Sequence, residues 1–133
     1  MDDVLFEEIE PGIVLLTLNR PERRNALSSQ LLAALHASVD RIAGDPAVRV
    51  VILTGGGAGF CSGADMKSDG DMTGTGGTPI GDLLSRVQGS VTRTFAAQEM
   101  MASLFERVHR LRQPVIAAVH GAAVGGGFAF ALA

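Results

Sequence analysis

Gly55 to Lys67 reads GGGAGFCSGADMK, and it follows Val48 to Leu53, VRVVIL. The second of these is a nearly continuous β-branched run, the mark of a strand buried on both faces as in a parallel sheet. The glycines after it make a tight turn that leads into a stretch able to open a helix. The arrangement recurs near the end of the chain, where Val115 to Val119, VIAAV, runs into Gly121 to Gly127, GAAVGGG, and then into Phe128 to Ala133, which reads as the first turns of a helix. A turn after a buried strand points free N–H groups outward, and two such turns can grip one oxygen anion and polarise a carbonyl. The two glycine runs are therefore the candidate active site. On the residues alone the plainer alternative, that both are merely tight turns, stays open.

Outward from that centre, Val4 to Ile9 and Ile13 to Leu18 are β-prone runs separated by the turn signal Glu10-Pro11-Gly12, which predicts an antiparallel hairpin. The first run alternates and belongs on an edge; the second is mostly apolar and belongs deeper. Asn19 to Ala26, NRPERRNA, is a loop that concentrates Arg20, Arg23 and Arg24. These are either solvated arginines or a phosphate contact, since guanidinium forks pair well with phosphate oxygens. Ser28 or Ser29 can cap a crossover helix with apolar positions Leu31, Leu32, Leu35, Val39 and Ile42, ending near Gly44-Asp45-Pro46. Strand, helix and strand make a βαβ-like unit. Ser68 to Gly81 is too polar and glycine-rich to pack, and reads as a mobile loop or lid. Asp82 to Val91 is a helix or its approach. Thr92 to Arg112 is a long helix carrying Phe95, Met101, Leu104, Phe105, Val108 and Leu111, either as core or as the wall of an apolar tunnel, and Gln113-Pro114 ends it.

The bulk numbers exclude several classes. A chain of 133 residues with 47% hydrophobic and 19% charged content has the size and balance of one globular domain. With no Trp or Tyr, 6 Phe and a net charge of -3, it lacks the aromatic platforms and basic surface of a nucleic-acid binder. The single cysteine, Cys61, allows no internal disulfide and predicts no metal site. An acidic start, MDDVLFEEIE, is unlike a targeting peptide, and the expected location is cytoplasmic. Pro114 to Ala133 is 20 residues without a formal charge, but its four glycines within seven positions suit strand, turn and buried helix better than a membrane span.

Familiar motifs can be tested against the glycines directly. Neither run contains Gly-x-Gly-x-x-Gly, so the dinucleotide fingerprint is missing. Met66 stands where a P-loop needs glycine. Ser62 falls one position late for a nucleophile elbow, so neither it nor Cys61 is supported as a nucleophile. His36, His109 and His120 read as structural histidines. Asp65, Asp69, Asp71 and Asp82 read as surface or capping residues.

Four segments, Asn19 to Leu27, Val48 to Gly55, Gly59 to Met66 and Gln113 to Gly127, resemble in order and separation the crotonase (enoyl-CoA hydratase/isomerase) superfamily. The resemblance implies an α/β fold, a ClpP/crotonase-like spiral of ββα units. Crotonase-like domains are about twice as long as this chain, so residues 1–133 are expected to be the N-terminal part of one acyl-CoA-binding domain. The expected spiral is then truncated after the second oxyanion-hole turn or completed by another chain, and residues 68–91 form its variable loop. It also implies roles. The N–H groups of Ala64 and Gly126 would form an oxyanion hole for an acyl-CoA thioester. Ser62, Gly63, Asp65, Met66, Lys67 and Gly125 would border the substrate, while Arg23, Arg24 and Ala26 would lie beside the CoA phosphates and pantetheine arm. CoA would be part of the substrate, with no separate cofactor, and the protein would form trimers or paired trimers. In hydratases of the superfamily a glutamate follows the glycine triple by two positions; here that position is Ala129, which cannot move a proton. A second catalytic acid falls beyond Ala133, and His120 stands where relatives often carry asparagine.

Overall fold

A computed structural model describes residues 2–65 and 90–133. Strands β1 (Val4–Glu10) and β2 (Ile13–Leu18) form the expected antiparallel hairpin, with Val4 opposite Leu18 and Phe6 opposite Leu16. Gly12 closes its turn at φ 79°, a left-handed conformation that glycine adopts without a Cβ penalty. Helix α1 (Ser29–Gly44) starts from Ser28, whose hydroxyl accepts the Leu31 N–H at 3.2 Å, and then crosses to β3 (Val50–Gly55). Helix α2 (Ser90–His109) leads to the short β4 (Val115–Ala117), and α3 (Gly126–Leu132) follows the second glycine run. The sheet order is β1-β2-β3-β4, antiparallel at the first pairing and parallel at the other two. The alternating strand does sit on the edge and the apolar one inside. No helix among the described residues is long and apolar enough to cross a membrane.

One face of the sheet carries the core. Val14, Leu16, Leu18, Val51 and Leu53 point to it and meet Leu31, Leu32, Leu35, Val39 and Ile42 of α1 with Met100, Leu104 and Val108 of α2. Each such aliphatic side chain removed from water contributes about 1.5–3 kcal/mol before the entropy of ordering it is counted. The opposite face is different. Leu15, Ile52 and Ile116 stand side by side across β2, β3 and β4, and Ile116 is 55% exposed. The strand runs expected to be buried on both faces are thus covered on one, among the described residues. α2 begins at Ser90, two residues before the expected start, and ends at His109 because the chain turns toward Pro114. Its Phe95, expected in the core or on the wall of an apolar tunnel, is 69% exposed. The remainder of the proposed 68–91 loop, residues 68–89, lies outside the described residues.

His36 is more deeply placed than an ordinary structural histidine. α2 packs over it, leaving 8% exposed; its Nε2 meets the Met100 carbonyl at 3.0 Å, and its Nδ1 lies 2.7 Å from Arg107 Nη1. Arg107 can only donate, so Nδ1 is the acceptor and Nε2–H the donor to Met100. Burial lowers the His36 pKa below its usual 6.5, with the Arg107 charge acting the same way, while the Met100 bond and Asp40 oppose it. A folded-state pKa below the unfolded one means that the unfolded chain takes up more protons as pH falls from 6.5 toward the folded value. The stability from neutral His36 is therefore present above that window and lost progressively through it. We expect urea midpoints to drop on acidification below that pH and His36→Gln to flatten this dependence.

Candidate functional site

The site is assembled from three extended stretches lying side by side. Leu27 forms a parallel bridge with Ala64, through Leu27 N–H to the Gly63 carbonyl at 2.8 Å and Asp65 N–H to the Leu27 carbonyl at 3.2 Å. Cys61 forms a second with Ala123, through Cys61 N–H to the Ala122 carbonyl and Val124 N–H to the Cys61 carbonyl, both at 3.0 Å. Residues 61–65 therefore run between the arginine loop on one side and the second glycine run on the other. The two glycine stretches, far apart in sequence, are brought into direct contact: a Cβ on Gly63 would lie 2.8 Å from the Val124 carbonyl and 3.4 Å from the Gly126 nitrogen. Gly63 also has φ 94°, so both the space and the backbone exclude any other residue.

Peptide geometry then decides where the two predicted donors point. A trans peptide is planar, with its C=O and N–H opposed. The Gly63 carbonyl faces Leu27, so the Ala64 N–H of the same peptide unit faces away from Leu27. The Gly125 carbonyl accepts the Ala129 N–H inside α3 at 3.0 Å, so the Gly126 N–H points back out of that helix. Neither N–H meets an acceptor among the described residues. Leu27, Met101 and Phe105 close around Gly126, with Met101 Sδ 3.1 Å from where a Cβ would be. The apolar residues of α2 thus divide: Met100, Leu104 and Val108 are core, whereas Met101 and Phe105 wall the space beside Gly126.

Around these donors, the other predicted residues sit as follows. Arg23 is exposed in the 3-10 turn Pro21–Arg23. Arg24 is exposed at φ 52°, and its carbonyl accepts the Ser62 N–H at 3.0 Å. Arg24 and Ser62 line one cleft of about 290 Å³ together with Pro21, Gly59 and Ala122. Ala26 is buried, and Gly125 turns the chain into α3 at φ 53°. Met66 and Lys67 lie outside the described residues, as do Asp69, Asp71 and Asp82. His120 Nε2 meets the Gly57 carbonyl at 3.0 Å. The Cys61 thiol donates to the Asn25 carbonyl at 3.0 Å, and burial raises its pKa, so it is held as a neutral thiol rather than a nucleophile. Among the described residues no three His, Cys, Asp or Glu side chains are grouped to hold a metal ion.

Two residues carry more of the site than their sequence positions suggest. Asn25 is fully buried at φ 54°; its Nδ2 donates to the carbonyls of Gly56, Gly59 and Phe60 at 2.9–3.0 Å, and its Oδ1 accepts the Arg20 N–H at 2.9 Å. One side chain so holds the first glycine turn against the arginine loop. Asp65, read from sequence as a surface or capping residue, has a side chain only 6% exposed and pairs with Arg20 at 3.1 Å. The signal for Asn25 was an asparagine at a turn, where its short side chain tolerates the left-handed region. No local signal marks a pair 45 positions apart.

Comparison with known proteins places these features in a wider set. Residues 8–133 match a family model described as enoyl-CoA hydratase/isomerase. A probable enoyl-CoA hydratase from Mycobacterium leprae is 40% identical over 132 residues, covering 99% of this chain and 42% of its own. A probable enoyl-CoA hydratase/isomerase from Mycobacterium abscessus superposes with a TM-score of 0.80 at 37% identity, over 98% of this chain and 44% of that one. An enoyl-CoA hydratase from Bacillus anthracis does so with 0.78 at 34% identity, over the same 98% and 44%. The chain thus spans less than half the length of these three relatives.

Proposed function

Because the chain belongs to the enoyl-CoA hydratase/isomerase family, and so to the crotonase superfamily, we propose that it binds acyl-CoA thioesters and stabilises an enolate. The thioester oxygen lies between the Ala64 and Gly126 N–H groups. The observation that carries the reading is their geometry: two N–H groups from separate turns, brought together by the Gly63 contact and without acceptors among the described residues. Donors fixed before the reaction stabilise charge that develops on the oxygen without reorganising, and they favour the enolate over the neutral thioester. Arg23 and Arg24 meet the CoA phosphates, with Ser62, Gly63, Asp65, Met66 and Lys67 along the nucleotide and pantetheine arm. Met101 and Phe105 face the acyl chain. The reaction class is hydration or double-bond isomerisation. Self-association into trimers or paired trimers belongs to the same reading.

A second reading, binding without turnover, is favoured by Ala129. It lies on α3 just past the donor glycine, and its methyl can neither take nor give a proton. The two separate in one experiment, in which the chain is mixed with a 2-enoyl-CoA, the ultraviolet absorbance of the conjugated thioester is followed, and acyl-CoA binding is measured by calorimetry. Saturable binding with a change in absorbance supports hydration or isomerisation. Binding with constant absorbance supports the second reading, and no binding overturns both.

A further inference from the structure

The Arg20–Asp65 ion pair lies beside the candidate donors, and although Asp65 borders the CoA arm in the reading above, the pairing itself has no task there. Arg20 Nη1 donates to the Ala26 carbonyl at 2.7 Å and to Asp65 Oδ2 at 3.1 Å, so one guanidinium nitrogen ties the arginine loop to the residue next to Ala64. Both side chains are largely withdrawn from water, at 14% and 6% exposure. Asp3 lies at 3.8 Å on the Nε side of Arg20. Such pairs are a weak source of stability, since desolvating two charges offsets much of their attraction. Their usual value lies in holding a geometry.

Two consequences meet at Ala64. First, Asp65 is anchored twice, by its N–H on Leu27 and by its carboxylate on Arg20, which leaves the preceding peptide unit little freedom to rotate. Second, a carboxylate one residue from an oxyanion donor opposes negative charge on the ligand oxygen unless a cation neutralises it. Arg20 does both. We propose that Arg20 and Asp65 are positioning residues: the pair aims the Ala64 N–H and screens the acid from the oxyanion. The inference rests on the acyl-CoA reading above.

The test compares two ligands that differ only at the reacting group, an acyl-CoA and the S-alkyl-CoA thioether of equal chain length, which lacks the carbonyl. The wild-type chain is expected to prefer the acyl-CoA by about tenfold, the worth of one or two hydrogen bonds to that oxygen. In Arg20→Met the preference is expected to fall to about one while S-alkyl-CoA affinity changes by less than about threefold. Adding Asp65→Asn to that variant removes the carboxylate charge that Arg20 no longer screens and is expected to restore part of the preference. If Arg20→Met does not fold, Arg20→Gln serves, because its neutral amide can still donate a hydrogen bond but carries no charge to screen Asp65. A wild-type chain that binds both ligands equally overturns the oxyanion reading and leaves nothing for the pair to position. A wild-type preference that survives Arg20→Met, or a variant that loses both affinities alike, overturns the positioning role specifically.

Discussion

Replacing Gly127 with alanine is expected to abolish cooperative folding of the site, at a cost of about 3 kcal/mol or more. A Cβ on Gly127 would run into the Cys61 carbonyl oxygen and lie 2.7 Å from Cys61 Cβ. Neither can retreat. Cys61 is buried, and its N–H and C=O are already committed to Ala122 and Val124 on the same stretch of chain. Relief would have to come from moving α3 away, which carries Gly126 out of register with Ala64. The contrast is Gly44→Ala, where an added Cβ meets nothing within 4 Å at the end of α1. That change is expected to be neutral or stabilising by about 0.5 kcal/mol. Urea unfolding of the two variants reads the difference directly, and a Gly127→Ala midpoint equal to wild type would refute the packing described here.

Asn25→Ala is the second large effect. Alanine removes the amide that serves Gly56, Gly59 and Phe60 and the oxygen that serves the Arg20 N–H. A buried polar group left without its partner costs about 1–3 kcal/mol. Some of the four freed groups gain water once the turn loosens, so the total expected is about 4 kcal/mol, toward the upper end of single-substitution effects. Asn25→Asp is expected to be at least as damaging, because a carboxylate cannot donate and would face three carbonyl oxygens. Thermal melts that rank aspartate clearly above alanine would show that shape, and not donation, is what Asn25 supplies.

The sequence displayed the local decisions and concealed those made between distant segments. Glu10-Pro11-Gly12 marked the hairpin because proline and glycine prescribe their own backbone angles, and Ser28 marked the start of α1 because a hydroxyl there completes the first turn. Leu31, Leu35, Val39 and Ile42 marked the buried face of α1 by spacing alone. The apolar runs of β3 and β4 record a preference for cover on both faces, whereas the described residues supply it on one, which is why Ile116 stands open. The two glycine turns were visible as turns, and their contact through Gly63 was not. It depends on the register in which residues 61–65 pair with Leu27 and Ala123. The same register brings Asp65 to Arg20 and turns an apparent surface acid into an interior one.

Cys61 gives the chain a reporter of its own. It is the single thiol in 133 residues, its sulfur is shut beneath Asn25, and its backbone is the rung between the two turns. A reagent that alkylates sulfur has to wait until those turns part, so at reagent concentrations that outpace reclosing the rate of modification equals the rate at which the site opens. That clock needs no substitution in the chain.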